Sequence, residues 1–367
     1  RKAEAYAIIG ELSLSGRVMP VDGVLPIIIS LREVGIKKVI LPARNMKEAS
    51  MVEGISVIGV RKLEEAIHAI NNEVSEGCSY VFTSEPSKTR EDCDYSDIKG
   101  QEYAKRALII AAAGKHPLLM IGPPGCGKTM LVKRMPTILP PITKNELLES
   151  TIIHSVAGQL NKGDNDLMCR PFRAPHHTIS RAALLGGGLY PMPGELSLAH
   201  NGVLFLDEFC EFDTGQIEAL RQPLEDHKIV ISRQGTTYEF PCKSLVVMAA
   251  NPCPCGFFGS ESTECTCTAQ EIARYRRRMS GPILDRIDLQ LNMQEVKYDD
   301  LKSDKRGKNI VLDSKTMSSM VSDAIKFSKT EGRDEKCGNI SDKSIRDACL
   351  LGSLENEFIE SAYDRLN

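Results

Sequence analysis

Tryptophan is missing from this chain altogether, and aromatic residues make up only 5% of its 367 positions. A platform of stacked aromatics for single-stranded nucleic acid is therefore not advertised. Long apolar runs are missing too. Nothing approaches the ~18 residues that a membrane-crossing helix needs, so no membrane partner is expected. Nor is there an excess of charge of one sign: 46 Lys and Arg stand against 49 Asp and Glu, a net −3. A protein that coats DNA with its whole surface carries a basic balance, so any nucleic-acid contact must be local. No secretory signal is visible, and residue 1 is Arg rather than Met, so the chain is expected to begin inside a longer protein. Cysteine is not scarce. Its twelve copies are scattered through a large chain, which fits reduced thiols in a cytoplasm better than a disulfide framework. The length suggests about two or three domains, and 42% hydrophobic with 26% charged residues is an ordinary globular composition.

The most informative stretch is Gly122, Pro123, Pro124, Gly125, Cys126, Gly127, Lys128 and Thr129, which fits the GxxxxGK[ST] pattern at every specified position. A short apolar run, residues 117–121, precedes it with the length of a buried parallel strand. Met130 to Met135 follow it and read as a helix until Pro136 blocks it. Glycines let the backbone curl until several N–H groups point at one phosphate, and a helix start adds positive potential. In this context Lys128 would reach the β and γ phosphates of ATP, and the Thr129 hydroxyl would ligate Mg²⁺. The alternative, an ordinary glycine-rich turn, does not account for the matching flanks.

Val203–Leu206 is an all-apolar run that delivers Asp207 and Glu208 at its C-terminal end, where open α/β sheets bind ligands. Asp207 would hold Mg²⁺, directly or through water, and Glu208 would polarise an attacking water. Alone, such a run is a weak signal. Seventy-eight residues after Thr129 it becomes a strong one. A third apolar run, Leu245–Ala250, ends at Asn251, which precedes Pro252 and also suits a turn.

The remaining segments set the organisation. Residues 1–85 alternate helical and strand patterns as a small α/β unit: a helix over 26–34 closed by Gly35, strands over 37–41 and 55–60, then a helix with Leu63, Ala66, Ile67 and Ile70 in register. A polar stretch, Ser84 to Asp94, reads as a linker, with residues 86–94 taken as the boundary. Residues 95–292 form the nucleotide-binding domain and 293–367 a helical lid. The lid has a charged loop over 295–309 and helices over 311–329 and 341–351, the second capped by Ser341. Residues 159–200, with Gly186–Gly188 and several prolines, suit a projecting loop or hairpin. Residues 228–242 read as two strands around Gln234-Gly235.

Three groups of residues leave their chemistry open. Cys253-x-Cys255 and Cys265-x-Cys267, nine residues apart, supply enough thiolates for a tetrahedral Zn²⁺, although structural zinc sites more often use two-residue spacing within a pair. Reduced loop thiols or a reversible disulfide are the alternatives. His176 and His177 are adjacent, so they are not expected to share one face of a helix or strand or to hold a metal together, and a loop or subunit contact is the default. Arg274, Arg276, Arg277 and Arg278 read as a solvated helix face, with contact to DNA or a neighbour as the second choice.

The run Phe172-Arg-Ala-Pro-His-His-Thr-Ile-Ser180, the segment 193–208 leading into Asp207-Glu208, Leu220-Arg-Gln-Pro-Leu-Glu225 and Ala250-Asn-Pro-Cys-Pro-Cys-Gly256 resemble the magnesium-chelatase branch of AAA+ ATPases. Residues 10–42 resemble the C-terminal half of the Lon-type protease domain, with Leu25 where that family has its catalytic lysine. A peptidase role is therefore not expected, and a scaffold is. Together they resemble the ComM/YifB group of competence-associated ATPases. That resemblance implies an AAA+ P-loop core with a parallel sheet, a helical lid and a small Lon-like unit. It also implies a hexameric, ATP-driven motor acting on branched or single-stranded DNA in transformation or recombination. Ile98 would touch the adenine base, with core packing as its other reading. Asn251 would be the sensor that positions water against the γ-phosphate, from a strand lying between the other two. Arg286, in Ser280-Gly-Pro-Ile-Leu-Asp-Arg286, would be the arginine finger given to a neighbouring subunit, a contribution typically of about 10³–10⁵ in rate. A surface pair with Asp285 or Asp288 is its alternative.

The hairpins would face a central pore, where Lys228 or Arg233 would meet phosphates, unless their charges are simply solvated. The lid departs from the family pattern: Ser361 stands where the sensor arginine is expected, before Ala362-Tyr-Asp-Arg365. Two other readings remain beside the motor. One is a chelatase-like ATPase inserting metal into a tetrapyrrole, and the other is an assembly module that binds ATP without hydrolysing it.

Overall fold

Two runs of consecutive apolar residues decide the architecture. Val203–Leu206 and Leu245–Ala250 are buried at every position, as strands covered on both faces must be. In the computed structural model, which describes residues 6–71, 93–160, 169–233, 235–279, 281–295, 312–330 and 352–366, they lie side by side at the centre of a five-stranded parallel sheet. The order across it is Leu289–Asn292, Leu118–Ile121, Leu245–Ala250, Val203–Leu206 and Phe172–Arg173. The strand ending at Asn251 thus lies between the phosphate-loop strand and the strand ending at Asp207.

Successive residues of a strand point to opposite faces, and the two cores follow that alternation. Leu118, Met120, Val203, Phe205, Val247 and Ala249 pack on one side with Leu108, Leu131, Met317 and Val321. Leu119, Leu204, Leu206, Val246 and Met248 pack on the other with Leu184, Phe209, Ile217 and Ile283. Each fully buried large side chain contributes about 1.5–3 kcal/mol, so this layered core fixes the strand ends that carry the site. Helices Glu102–Gly114 and Ser314–Thr330 cover the first face. Tyr95 ties the second of these to helix Lys128–Lys133: its backbone N–H donates to Ser314 Oγ at 3.0 Å, and its hydroxyl donates to the Leu131 carbonyl at 2.8 Å.

The first unit has its own three-stranded parallel sheet, Tyr6–Ile8, Lys38–Pro42 and Ser56–Val60, with helices Val24–Glu33 and Leu63–Asn71. The helix expected over 26–34 begins two residues earlier, the strand at 37–41 shifts by one, and the strand at 55–60 begins one residue later. Helix Lys128–Lys133 stops before Pro136, which sits instead in a 3-10 turn, Met135–Thr137. Strands Lys228–Arg233 and Thr236–Pro241 form the expected hairpin. A second, minimal hairpin pairs Gly186–Gly187 with Met192–Pro193. The linker apart from Cys93 and Asp94, most of the charged loop over 295–309 and the helix expected over 341–351 lie outside the described residues. Ser361 and Arg365 stand exposed on helix Ser353–Leu366.

Candidate nucleotide site

The phosphate loop turns on glycines held at positive φ, +78° at Gly125 and +92° at Gly127, where an L side chain would be strained. Gly127 is also the residue before helix Lys128–Lys133, so the left-handed step starts that helix. The loop bends back around Lys128, whose side chain is only 8% exposed. Its ammonium donates to the carbonyls of Gly122 at 2.6 Å and Pro123 at 2.9 Å, and to Asn251 Oδ1 at 3.2 Å. Burial pulls its pKa below the ordinary lysine value, partly offset by Cys126 and Asp207. One cation therefore links the loop to the end of the central strand.

Thr129 Oγ1 donates to Asp207 Oδ2 at 2.7 Å, closing the gap between the helix start and the neighbouring strand. Two oxygens this close, one hydroxyl and one carboxylate, suit Mg²⁺, which takes hard oxygen ligands and one or two carboxylates beside the phosphates. The residues present thus fit a magnesium nucleotide. Among the other predicted contacts, Cys126 is buried and Met130 is 42% exposed on the helix behind the loop. Ile98 is 7% exposed and belongs to the core on that face, as its packing alternative anticipated.

Glu208 holds φ at +50°, a left-handed conformation rare for a side-chain-bearing residue, and its own N–H donates to Asp207 Oδ1 at 2.9 Å. The strained turn separates the two acids. Asp207 faces Thr129, while Glu208 Oε2 meets His177 Nδ1 at 3.0 Å. His177 is the site residue that sequence reasoning missed. The two histidines lie on an irregular segment, outside the helix or strand in which adjacent side chains face apart, and their rings sit tilted with centroids 4.1 Å apart, the loop contact expected as the default. No periodicity marks it. The available signal was its place just beyond the edge strand next to the one that carries Glu208.

Arg286 does not pair with Asp285 or Asp288. Its Nη2 meets Glu225 Oε1, its Nη1 donates to the Pro282 carbonyl at 2.5 Å, and its Nε is buried without a partner among the described residues. Asp288 instead meets His116 Nδ1 at 2.6 Å. The four arginines of the basic run are all exposed, as a solvated run would be, but they do not all lie on the helix. The helix ends at Arg276, which lies over the Phe258 ring at 4.8 Å, and Arg278 Nη1 donates to the Cys210 carbonyl at 2.8 Å. On the hairpin, Lys228 is engaged by Glu239 at 3.2 Å while Arg233 is exposed near the turn. Cys253, Cys255, Cys265 and Cys267 converge, with all Sγ atoms within 4.8 Å of one another.

Comparison with known proteins gives this geometry a family. Residues 94–301 match the family described as magnesium chelatase, subunit ChlI, and residues 1–45 match a second description, subunit ChlI of Mg-chelatase. The chain is 45% identical over 298 residues to a protein of Mycobacterium tuberculosis, which covers 81% of this chain and 58% of that protein. It is 37% identical over 369 aligned positions to competence protein ComM of Haemophilus influenzae, covering 98% and 70% respectively. It is 39% identical to YifB of Escherichia coli over 80% of this chain and 56% of that protein. A shorter match, 28% identical over 158 residues, covers 29% of Lon protease 2 of Bacillus subtilis. The chain therefore spans a little over half the length of several of these relatives. It belongs to the magnesium-chelatase ChlI family, in the ComM/YifB group, with a P-loop α/β core and a Lon-like unit at its N-terminal end.

Proposed function

We propose that the chain is the ATP-hydrolysing core of a Mg²⁺-dependent AAA+ motor that works on branched or single-stranded DNA as a cytoplasmic hexamer. One observation carries the hydrolytic part. Lys128 touches Asn251 and Thr129 touches Asp207, so three adjacent parallel strands present their chemistry at one edge. Bound magnesium would screen the phosphate charge, held by Thr129 and Asp207. Lys128 would exchange the loop carbonyls for phosphate oxygens, and Asn251 would orient the water. Glu208, once parted from His177, would accept that water's proton. Arg286 would have to leave Glu225 to serve a neighbouring protomer, so assembly and catalysis would be coupled. The DNA part draws support from the competence relative and from Arg233 near the hairpin turn, a local basic group on a net acidic chain. No helix among the described residues is long and apolar enough to cross a membrane.

The test is steady-state ATP hydrolysis with and without branched DNA, beside Glu208→Gln and Arg286→Ala. Stimulation by DNA that both substitutions abolish is expected. Hydrolysis indifferent to DNA would overturn the DNA reading in favour of a chelatase-like ATPase. ATP binding without turnover would leave an assembly module.

A further inference from the structure

The loop between strand Leu245–Ala250 and helix Ala269–Arg276 carries the four cysteines, and the fold brings its two ends together. Sγ separations are 3.3 Å for Cys253 and Cys255, 3.7 Å for Cys253 and Cys265, and 3.6 Å for Cys255 and Cys265. A zinc ion with Zn–S bonds of about 2.3 Å in tetrahedral array holds its sulfurs about 3.8 Å apart. A disulfide would draw one pair to about 2.05 Å and leave the other two sulfurs outside the bond. The four sulfurs instead form one cluster, the one group of metal-ligating side chains this close among the described residues. The backbone supports them. The N–H of Cys255 donates to Cys267 Sγ at 3.3 Å, and that of Phe258 to Cys253 Sγ at 3.3 Å, donors that favour thiolate ligands. Gly256, at φ +89°, makes the turn that returns its N–H to the Cys253 carbonyl at 3.0 Å.

We propose that these four cysteines form a structural Zn²⁺ site that braces the phosphate loop. Four soft thiolates with no hard oxygen ligand select zinc over magnesium or calcium. An iron–sulfur cluster, larger than one ion, would spread its cysteine sulfurs wider. The site sits against the nucleotide machinery. A Cβ added to Gly256 would lie 2.8 Å from Cδ and Cγ of Pro124, so this turn is the wall behind the phosphate loop. Cys253 also follows Asn251 by two residues, so the metal pins the end of the strand whose carboxamide meets Lys128. The bracing role rests on the nucleotide reading, and the metal itself does not.

Metal analysis of the purified chain is expected to give one zinc per chain, released by a mercurial thiol reagent into a zinc-binding dye. Cys265→Ser with Cys267→Ser should lose it, while Cys169→Ser, exposed and outside the cluster, should keep it. If the double variant is insoluble, cobalt exchange into the unaltered protein decides. Thiolate-to-cobalt absorption supports the site, and its absence overturns it. Iron in place of zinc, or a disulfide found by mass among these cysteines, also overturns it. Stripping the metal should weaken ATP binding several-fold, and unchanged affinity would overturn the brace. If ATP binds neither form while zinc is stoichiometric, the nucleotide reading fails and takes the bracing role with it, whereas the zinc site stands.

Discussion

Replacing His177 with alanine should speed hydrolysis. The imidazole meets Glu208 at 3.0 Å and holds the carboxylate that would otherwise accept a proton from water. Both partners are solvent-accessible, with side chains 27% and 55% exposed. Such a pair contributes ~0–1 kcal/mol, because solvent screens it and two side chains must be ordered to make it. Parting it costs up to that amount on the way to the transition state, and each 1.36 kcal/mol is tenfold in rate, so its removal is worth up to about fivefold in kcat. The Michaelis constant should stay within about twofold, since His177 touches neither the phosphate loop nor Thr129. His177→Gln, which can still donate a hydrogen bond to Glu208, should remain close to the parent. Steady-state hydrolysis at saturating ATP reads the difference. A kcat that is unchanged or reduced in His177→Ala would refute the idea that this contact restrains Glu208, and a reduction would make His177 a positioning residue.

Two further expectations concern neighbouring structure. Gly256→Ala places a methyl group against Pro124 at a φ of +89°, where an L residue costs about 1–2 kcal/mol. It should lower the melting temperature by a few degrees and raise the Michaelis constant for ATP more than it lowers kcat, and an unchanged Michaelis constant would separate this turn from the phosphate loop. Burial pushes the Glu146 carboxyl up, but the Thr143 N–H, Arg170 and Lys115 outweigh it and hold it at about 2, against 4.5 unperturbed. A depressed carboxyl stabilises the fold above its unfolded pKa, and that stability is lost as pH falls from 4.5 towards about 2. After discounting for solvent screening at a partly exposed carboxylate, the loss is about 1–2 kcal/mol. Urea midpoints at about pH 5 and about pH 3 should therefore converge between the parent and Glu146→Gln at the lower pH.

The strands of the core were legible because parallel central strands are apolar at every position, and Val203–Leu206 and Leu245–Ala250 were bounded without error for that reason. The phosphate loop was legible because the geometry that cradles a phosphate demands glycines at fixed spacing. Contacts made by irregular segments were not. His177 reaches Glu208 from a stretch with no repeating period, and the partner of Arg286 is Glu225, 61 residues earlier, rather than an acid beside it. The cysteine spacing argued weakly for a shared site, because what decides it is the path of the nine-residue loop between the pairs. Burial of Ile98 was equally silent in sequence, since an apolar residue before a helix packs or binds with the same chemistry.

The Lon-like unit is not a passenger on a tether, and one helix shows why. Lys144–Val156 receives the unit on one side. Leu148 and Ile152 pack into its core beside Leu25 and Ile28, the N–H of Gly23 donates to the Ser155 carbonyl at 2.9 Å, and Ser155 Oγ donates to Glu48 at 2.6 Å. Burial raises the Glu48 pKa despite its bonds from Ser155 and Asn45, so an acid is kept inside this joint at an electrostatic cost. On its other side the same helix holds the turn before strand Val203–Leu206. Ser150 Oγ donates to the His200 carbonyl at 3.0 Å, and Asn201 Nδ2 donates to the Glu146 carbonyl at 3.2 Å, two residues before Val203. One helix thus contacts both the first unit and the turn that leads into the strand preceding Asp207. The position where a peptidase of this type would carry its lysine is filled by Leu25, which is fully enclosed and has its N–H directed at Ser155 Oγ at 3.4 Å. An ammonium buried there unpaired would cost several kcal/mol. The residue standing where the resemblance places the catalytic lysine is therefore one that builds the joint between this unit and helix Lys144–Val156.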